Sequence, residues 1–311
     1  MKKLLFFIFI LILIPALITN FLFKYEIKKA ITGFNKNKPV EKNINIRILK
    51  SDNTIENINL EKYLIGVVSS EVPITFEQEA LKAQAVASRT YALKQIENNK
   101  DKNYDVTDNT LSQVYSNNDE LKNKWGENYQ EYYNKIKNVV DETKGEYISY
   151  NNDYIYAFFF STSNGKTEDN KNVFGEDLPY LKSVNSDFDK NETDLFEVTT
   201  TYSKEEFYNK LGIEYSNSLD IDNIVKTDSG RIYNLEINGI SFKGRDFQKD
   251  LSLRSNDFVV KEEDSNIIIT TRGYGHGVGL SQYGANALAK QKKSYKEILK
   301  YYYQGTEIKK L

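Results

Sequence analysis

The sequence of 311 residues contains no cysteine, one tryptophan and a single histidine, His276. Without cysteine the chain forms no disulfide and offers no thiolate to a metal ion. A zinc site of the usual kind would therefore have to consist mostly of carboxylates. We expect no metal and no cofactor.

An excess of basic residues is also missing. The 42 lysines and arginines are balanced by 44 acids, which leaves a net charge of −2. Domains that bind nucleic acid usually carry a basic excess, so we expect no nucleic-acid partner. The 23 tyrosines could stack on sugar rings, although partly buried tyrosines are the simpler interpretation.

One long apolar run stands near the amino terminus. Leu4 to Phe23 is twenty residues without a charge, and as a helix it would span roughly 30 Å, the thickness of a bilayer's hydrocarbon core. No small-x-small cleavage site follows, so we predict an uncleaved signal anchor. Lysines flank the run on both sides, and the positive-inside rule alone does not fix its orientation. We predict a membrane anchor at 1–23, a tether at 24–44 and a catalytic region at 45–305.

The remaining patterns predict a mixed α+β fold, with helices and mostly antiparallel strands around a substrate groove. Strands at Glu146–Tyr150 and Ile155–Phe160 flank the turn signal Asn151-Asn152-Asp153 and predict a hairpin. Residues 194–262 contain several short strands and a helix, and they predict a smaller α+β lobe. Residues 128–144 and 281–291 predict helices.

The segment Ser69–Lys94 contains the most informative acid, Glu71. Glu71 follows the apolar run Tyr63–Val68, which predicts a buried strand or a buried helix end. Thr75 and Gln78 fit a capping box, so we predict a helix from Thr75 to Asn98. The many alanines of this helix favour close packing against its neighbours.

Glu71 is our candidate for a catalytic acid. A general acid must stay protonated near neutral pH, and an apolar pocket achieves this by raising the pKa to about 6. Val67, Val68 and Val72 offer such surroundings. The alternative is a structural acid paired with Lys82 or Arg89.

Lys82 and Arg89 lie two helical turns apart on one face, and charges on a buried helix need partners. They could bind an anionic or hydroxyl-rich ligand or form structural salt bridges, and the sequence leaves both open. An ion pair with Glu71 would lower its pKa and oppose general-acid work. Gln84 lies on another face of the helix, and we predict that its side chain is a buried polar anchor.

Two further motifs offer polar groups. Ser161, Thr162, Ser163 and Asn164 follow an aromatic strand; they predict either a polar pocket suited to sugars or an Asn-Gly turn capped by hydroxyls. The other motif is the glycine-rich segment Gly273 to Gly279. Glycine occupies every second position there, so we expect an exposed loop.

The candidate functional residue of that loop is His276. It would bind substrate or assist proton transfer near its ordinary pKa of about 6.5, unless it only holds the loop through hydrogen bonds. Ser281 and Gln282, at the start of the next helix, are placed to donate hydrogen bonds into the same cleft.

These three motifs occur in order as Ser-Glu71-Val-Pro with Glu79 to Tyr91, Phe160 to Glu168, and Gly273 to Ala285. Over residues 45–305 the chain resembles the stage II sporulation protein D family, the membrane-anchored peptidoglycan lytic transglycosylases of endospore-forming bacteria. The resemblance implies that Glu71 is the catalytic acid. It also implies a short cytoplasmic amino terminus with everything after the anchor outside the cytoplasm.

The resemblance further implies a substrate and partners. The substrate is peptidoglycan glycan without stem peptides, cut between N-acetylmuramic acid and N-acetylglucosamine during septal thinning and engulfment in sporulation. The implied partners are the amidase, stage II sporulation protein P, and the membrane protein M of the same stage. The wider family includes modifiers that enhance amidases without cutting glycan, and this binding role is the alternative.

Hydrolysis of a glycoside normally needs two carboxylates at set separations. Near Glu71 the motif offers only Glu77 and Glu79, and both fall in the first helical turn, where acids commonly face the helix dipole. One acid suffices if the substrate supplies its own nucleophile. The sequence therefore predicts that the muramyl 6-hydroxyl attacks and that 1,6-anhydromuramyl ends are formed.

The membrane topology gives the first testable prediction. Because the motif residues need access to the cell wall, external protease added to protoplasts should degrade the chain beyond Phe23. A tag placed before Lys2 should stay protected and serves as the control. Full protection of the chain in intact protoplasts would overturn the signal-anchor interpretation.

Overall fold

The computed structural model describes residues 43–311. The predicted anchor and nearly all of the predicted tether lie outside these residues. Within the described part, no helix is both long and apolar enough to cross a membrane. The fold is mixed α+β, as predicted, with nine α-helices and fourteen strands among the described residues.

The helices are short except for one. Two 3₁₀ turns, Gly126–Asn128 and Asp187–Asn191, supplement them. The helices are α1 (Leu60–Glu71), α2 (Gln78–Asn98), α3 (Asn118–Trp125), α4 (Tyr129–Glu142), α5 (Asn170–Val173), α6 (Lys204–Leu211), α7 (Gly244–Asp250), α8 (Gln282–Lys290) and α9 (Tyr295–Tyr302).

The strands form small sheets. Those of the first half are β1 (Asn45–Leu49), β2 (Ile55–Asn59), β3 (Val106–Thr107), β4 (Glu146–Tyr150), β5 (Asp153–Tyr154) and β6 (Phe159–Phe160). Those of the second half are β7 (Glu197–Ser203), β8 (Ile221–Lys226), β9 (Ile232–Ile237), β10 (Ile240–Lys243), β11 (Phe258–Glu263), β12 (Asn266–Arg272), β13 (Leu280–Ser281) and β14 (Glu307–Lys310).

The sheet orders are β2-β1-β3, β14-β4-β5, β6-β13, β11-β12-β7 and β10-β9-β8. Most neighbouring strands run antiparallel. The pairs β1–β3 and β6–β13 are the parallel ones among the described residues. The short β6–β13 pair matters for function, because it joins the second motif to the third.

Helix α2 lies at the centre of the main core. Its alanines are almost fully buried, and their small side chains let α1, α4, α8, α9 and β4 pack closely around it. Gly66 of α1 serves the same purpose, since a Cβ there would lie 2.4 Å from the carbonyl oxygen of Ser116. Close packing at Gly66 thus brings α1 against the segment that precedes α3.

A second hydrophobic cluster is formed by β7, α6, β9, α7, β11 and β12. Phe207, Phe247 and Ile267 are among its fully buried members. This part of the chain overlaps the predicted lobe at 194–262. The division into anchor, tether and catalytic region stays a prediction.

Several predictions of local structure need correction. For Tyr63–Val68, predicted as a buried strand or a buried helix end, the helix alternative is confirmed, because the run belongs to α1. Helix α2 begins at Gln78 without a side-chain cap, so the predicted capping box at Thr75 is wrong. The turn Pro73–Phe76 precedes this helix, and the N–H of Glu77 instead donates to Asn286 Oδ1 at 2.9 Å.

The predicted hairpin is only partly correct. Tyr154 and Asp153 pair with β4, but Phe159 and Phe160 pair with Leu280 and Ser281 in β13. The end of the aromatic segment therefore pairs with a strand that is distant in sequence, and not with β4. Helix α3 was not predicted, although Asn117 and Glu120 form a capping box at its start.

Candidate functional site

Glu71 is the last residue of α1, and its side chain is half-buried. Val67 and Val68 precede it with no exposed surface. Its Oε1 accepts a hydrogen bond from the N–H of Val114 at 2.7 Å, and the side-chain amide of Gln282 is a second donor. The carboxyl group is thus held between α1, the segment before α3, and the start of α8.

Burial raises the pKa of Glu71 above its ordinary value near 4.5, although the Val114 and Gln282 donors act in the opposite direction. Burial also raises the pKa of Tyr91, and the charge of Glu71 adds to that rise. Tyr91 therefore lies close to the carboxyl group. Among the described residues no ion pair includes Glu71. Compared with an exposed carboxyl group, the site therefore favours the protonated form of Glu71.

The two cations predicted near Glu71 are engaged elsewhere. Arg89 is fully buried, and its guanidinium donates to both carboxylate oxygens of Glu61 at 2.9 and 2.7 Å. Lys82 pairs with Glu79 at 2.9 Å and with Glu142 at 2.7 Å. For Arg89 the structure agrees with the alternative of a structural salt bridge, and a guanidinium without exposed surface has no access to a ligand. Both cations have the geometry of structural salt bridges.

The segment that carries Val114 is fixed by buried hydrogen bonds. Gln113 accepts from the Tyr63 hydroxyl at 3.2 Å and donates to the carbonyl of Ser88 at 3.4 Å. The neighbouring Ser112 accepts from the N–H of Thr107 at 3.0 Å. Nothing in the local sequence of this segment indicated that it supplies a donor to Glu71.

Gln282 links the first and third motifs. Besides its bond to Glu71, its amide lies 3.5 Å from the side-chain oxygen of Gln84. Gln84 is buried, as predicted. The next residue, Tyr283, donates its N–H to the carbonyl of Ser161 at 3.0 Å. The structure therefore brings all three sequence motifs together beside the carboxyl group of Glu71.

Most of the second motif faces inward. Thr162 and Ser163 are buried, and the Ser163 hydroxyl donates to the carbonyl of Ser186 at 3.1 Å. Asn164 donates to the carbonyl of Ser229 at 3.0 Å and to Asp257 at 2.8 Å. These hydrogen-bonding groups join chain segments, which agrees with the alternative of a turn held by hydroxyl groups; a sugar-binding role of Ser161 to Asn164 stays a prediction. Ser161 is half-buried, and its carbonyl accepts the N–H of Tyr283.

A buried acid behind this motif was missed. Asp189 accepts from the N–H of Ser163 at 2.7 Å, from the Ser186 hydroxyl at 2.6 Å, and from the Ser281 hydroxyl. Burial raises its pKa to about 6, and these donors act against the rise. Asp189 positions Ser163 and Ser281, and Ser281 is therefore also committed to the interior. The sequence around Asp189 gave only the signal of an acidic loop.

His276 is half-buried among Phe158, Phe160 and Phe174, with ring centroids 6.2, 5.8 and 5.4 Å away. Its Nδ1 accepts the N–H of Val278 at 3.0 Å. Burial lowers its pKa to about 3, and the nearby charges of arginine side chains add to the effect. A pKa near 3 disfavours proton transfer at pH 6.5 and agrees with the alternative that a neutral His276 holds the loop through hydrogen bonds.

The glycines around His276 have a structural cause that the sequence did not reveal. At Gly277, with φ +85°, a Cβ would lie 2.6 Å from Cζ of Arg231. Arg231 is fully buried and lies flat against this glycine. The guanidinium of Arg231 thus packs directly against the backbone of the loop and leaves no room for a side chain at Gly277.

A row of aromatic rings leads from Glu71 to His276. Tyr91 lies 6.4 Å from Phe158, which stacks on Tyr156 at 5.8 Å and on Phe174 at 4.6 Å. Phe174 is 46% exposed, and Tyr156 and Phe158 are half-buried. Partly exposed aromatic faces beside an acid suit the apolar faces of sugar rings.

The neighbouring carboxylates are not placed as a second catalytic group. Glu79 pairs with Lys82 and accepts the N–H of Tyr295 at 2.8 Å. Glu77 is exposed and serves as the N-cap position of α2. Within residues 43–311, no three His, Cys, Asp or Glu side chains are grouped as they would be to hold a metal ion.

The geometry defines a mixed α+β protein in which the half-buried acid Glu71, without an ion pair among the described residues, lies beside a row of aromatic rings. A family model described as "Stage II sporulation protein" matches residues 50–150. The chain is 44% identical over 271 residues to stage II sporulation protein D of Bacillus subtilis (strain 168), which covers 85% of this chain and 79% of that protein. It is also 44% identical over 263 residues to stage II sporulation protein D of Bacillus amyloliquefaciens, covering 83% and 76%.

A more distant relative is the amidase enhancer of Bacillus subtilis (strain 168), which is 29% identical over 312 residues and covers 79% of this chain and 40% of that protein. The chain belongs to the stage II sporulation protein D family, and the resemblance seen in the motifs is confirmed.

The neutral state of His276 gives the second testable prediction. Because the chain has one histidine, its ring protons give a single set of histidine signals in an NMR spectrum of the soluble part. Burial holds the pKa near 3, so these signals should not shift between pH 5 and 8. The protein unfolded in urea is the control and should titrate with a midpoint near 6.5. A folded-state midpoint near 6.5 would contradict the buried, neutral assignment.

Proposed function

We propose that this protein is a peptidoglycan lytic transglycosylase and that Glu71 is its catalytic acid. The observation that supports this most is the state of Glu71, which combines burial, a raised pKa and no ion pair among the described residues. A carboxylic acid kept neutral by an apolar site can donate a proton near neutral pH. Membership of the stage II sporulation protein D family supports the same role.

The reaction uses one acid twice. Glu71 first protonates the glycosidic oxygen between N-acetylmuramic acid and N-acetylglucosamine, and the bond from that oxygen to the anomeric carbon breaks. The resulting carboxylate then takes the proton from the muramyl 6-hydroxyl, whose oxygen bonds to the anomeric carbon. The product is a 1,6-anhydro ring, and Glu71 is again protonated. The absence of a well-placed second carboxylate among the described neighbours of Glu71 favours this route over hydrolysis.

Two hydrogen-bond donors, the aromatic row and His276 support Glu71 in this scheme. The N–H of Val114 and the amide of Gln282 stabilise the carboxylate formed after proton transfer, because both donate to it. The aromatic row beside Tyr91 would bind sugar faces. His276, neutral at the end of this row, contributes a hydrogen-bonding group without taking part in proton transfer.

The proposed setting is the outer face of the cell membrane, reached through the predicted anchor Leu4–Phe23. There the enzyme would cut glycan strands that have lost their stem peptides, in septal degradation and engulfment during sporulation. The amidase stage II sporulation protein P would supply such strands, and stage II sporulation protein M is the second proposed partner. These assignments rest on the family.

A second function is a cell-wall binding module that stimulates an amidase. The observation that favours it is the similarity to a protein named amidase enhancer. Such a module would need the sugar-binding surface but not a protonated Glu71. The two functions therefore differ in what a change at Glu71 does.

The third prediction concerns the Glu71→Gln variant. Glutamine keeps the shape and most hydrogen bonds but cannot transfer a proton. Release of fragments from purified, peptide-free glycan should fall by about a hundredfold or more, the usual scale of lost general acid–base catalysis. The melting temperature and sedimentation with glycan should stay close to those of the unchanged protein. Glu77→Gln, at an exposed acid, is the matched control and should cleave normally.

The contrary outcome is equally specific. If the unchanged protein left glycan strands intact but stimulated an amidase, and Glu71→Gln stimulated it equally, the binding-module function would replace the proposal.

A further inference from the structure

A cavity outside the site described above lies beside the segment that precedes His276. It is an open cleft of about 770 Å³ between α5, β9, the β10–α7 junction and the segment that precedes β11. Tyr274, two residues before His276, lies at its edge. None of the predicted site residues lines this cleft.

The cleft is rich in cations. Five basic side chains line it and only two acids, Glu168 and Asp246. Glu168 is buried and already accepts hydrogen bonds from the hydroxyls of Thr227 and Ser229, each at 2.6 Å. The lining cations are Lys171, Lys243, Arg245, Lys249 and Arg254.

Most of these cations have no acid to neutralise them. Lys171 lies 3.5 Å from Asp169, but among the described residues Lys243, Lys249 and Arg254 form no ion pair. Excess charge of one sign in a cleft attracts ligands of the opposite sign. The natural ligand of this surface is therefore an anion.

Arg254 is the cation best prepared for a ligand. Its guanidinium lies over the ring of Tyr274, 4.2 Å from the centroid, which fixes its plane. Its Nε is buried and has no hydrogen-bond partner among the residues described. The residue itself is half-buried and lines the cleft, so a guanidinium held in one plane can present N–H donors to the two oxygens of a carboxylate.

The cleft adjoins the aromatic row. Arg245 donates to the carbonyl of Val173 at 3.0 Å and lies over the ring of Phe174, 5.6 Å from the centroid. Phe174 in turn packs against His276 with centroids 5.4 Å apart. A glycan lying along the aromatic row would thus reach the cationic cleft at the end remote from Glu71.

We propose that this cleft binds the lactyl carboxylate of a muramic acid residue in the glycan. This inference rests on the proposed function, because it needs a glycan on the aromatic row. On a peptide-free strand the lactyl group is the negatively charged group of the sugar chain. In a strand that carries stem peptides the same carbon is an amide without charge. The cleft is therefore the place where the protein distinguishes the two strands.

The test uses the full soluble region with Glu71→Gln, so that ligands are bound and not cut. Calorimetry would compare a peptide-free muramyl tetrasaccharide, its lactyl methyl ester and a tetramer of N-acetylglucosamine. We expect the free acid to bind at least about tenfold more tightly than the ester at low salt, the scale of a charged hydrogen bond. Added salt should reduce this difference.

Variants then locate the effect. Adding Arg254→Gln should abolish the preference for the free acid and leave binding of the ester unchanged. Lys243→Gln, at an exposed lining residue, should weaken the preference and serves if the Arg254 variant does not fold. Lys300→Gln, exposed on α9 and outside the cleft, is the control and should keep the preference.

Three results would overturn the proposal. Equal binding of acid and ester would exclude a carboxylate site, even if cleavage of glycan by the unchanged protein remained normal. Inorganic phosphate that binds as tightly as the tetrasaccharide, and loses binding with Arg254→Gln, would assign the cleft to phosphate-bearing polymers. If the protein neither bound nor cleaved any glycan, the proposed function itself would fail and this inference with it.

Discussion

The structure depends on keeping the carboxyl group of Glu71 buried and without a cation. Two cations follow it within eighteen residues of sequence, and either would lower its pKa if it paired with the carboxylate. Arg89 is instead neutralised by Glu61, and Lys82 by Glu79 and Glu142. The salt bridges of α2 therefore serve the site by holding positive charge away from it.

The polar residues behind the site have a related purpose. Asp189 ties the Ser163 segment to the start of α8, and α8 carries Gln282 to Glu71. Arg231 lies beneath Gly277 and supports the loop of His276. A buried charge is costly unless it is paired or hydrogen-bonded, so these groups fix one arrangement of three segments that are far apart in sequence.

Local patterns in the sequence predicted a good part of the fold. The helices predicted at residues 128–144 and 281–291 correspond to α4 and α8, because the pattern of neighbouring residues decides where each of them forms. Glu71 was found from its apolar neighbours and from the motif around it. Features made by distant partners were missed. The Val114 donor lies 43 residues from Glu71, and nothing near His276 indicated three aromatic rings and a buried arginine around it.

The central claim is that one acid works with a nucleophile from the substrate, and the products of cleavage test it most directly. Peptide-free glycan would be digested by the unchanged protein in water labelled with heavy oxygen, and the fragments analysed by mass spectrometry. The account predicts 1,6-anhydromuramyl ends, one water lighter than the reducing sugar and free of the label. Reducing muramic acid that carries the heavy oxygen would contradict it, because water would then be the nucleophile and a second carboxylate would have to activate it.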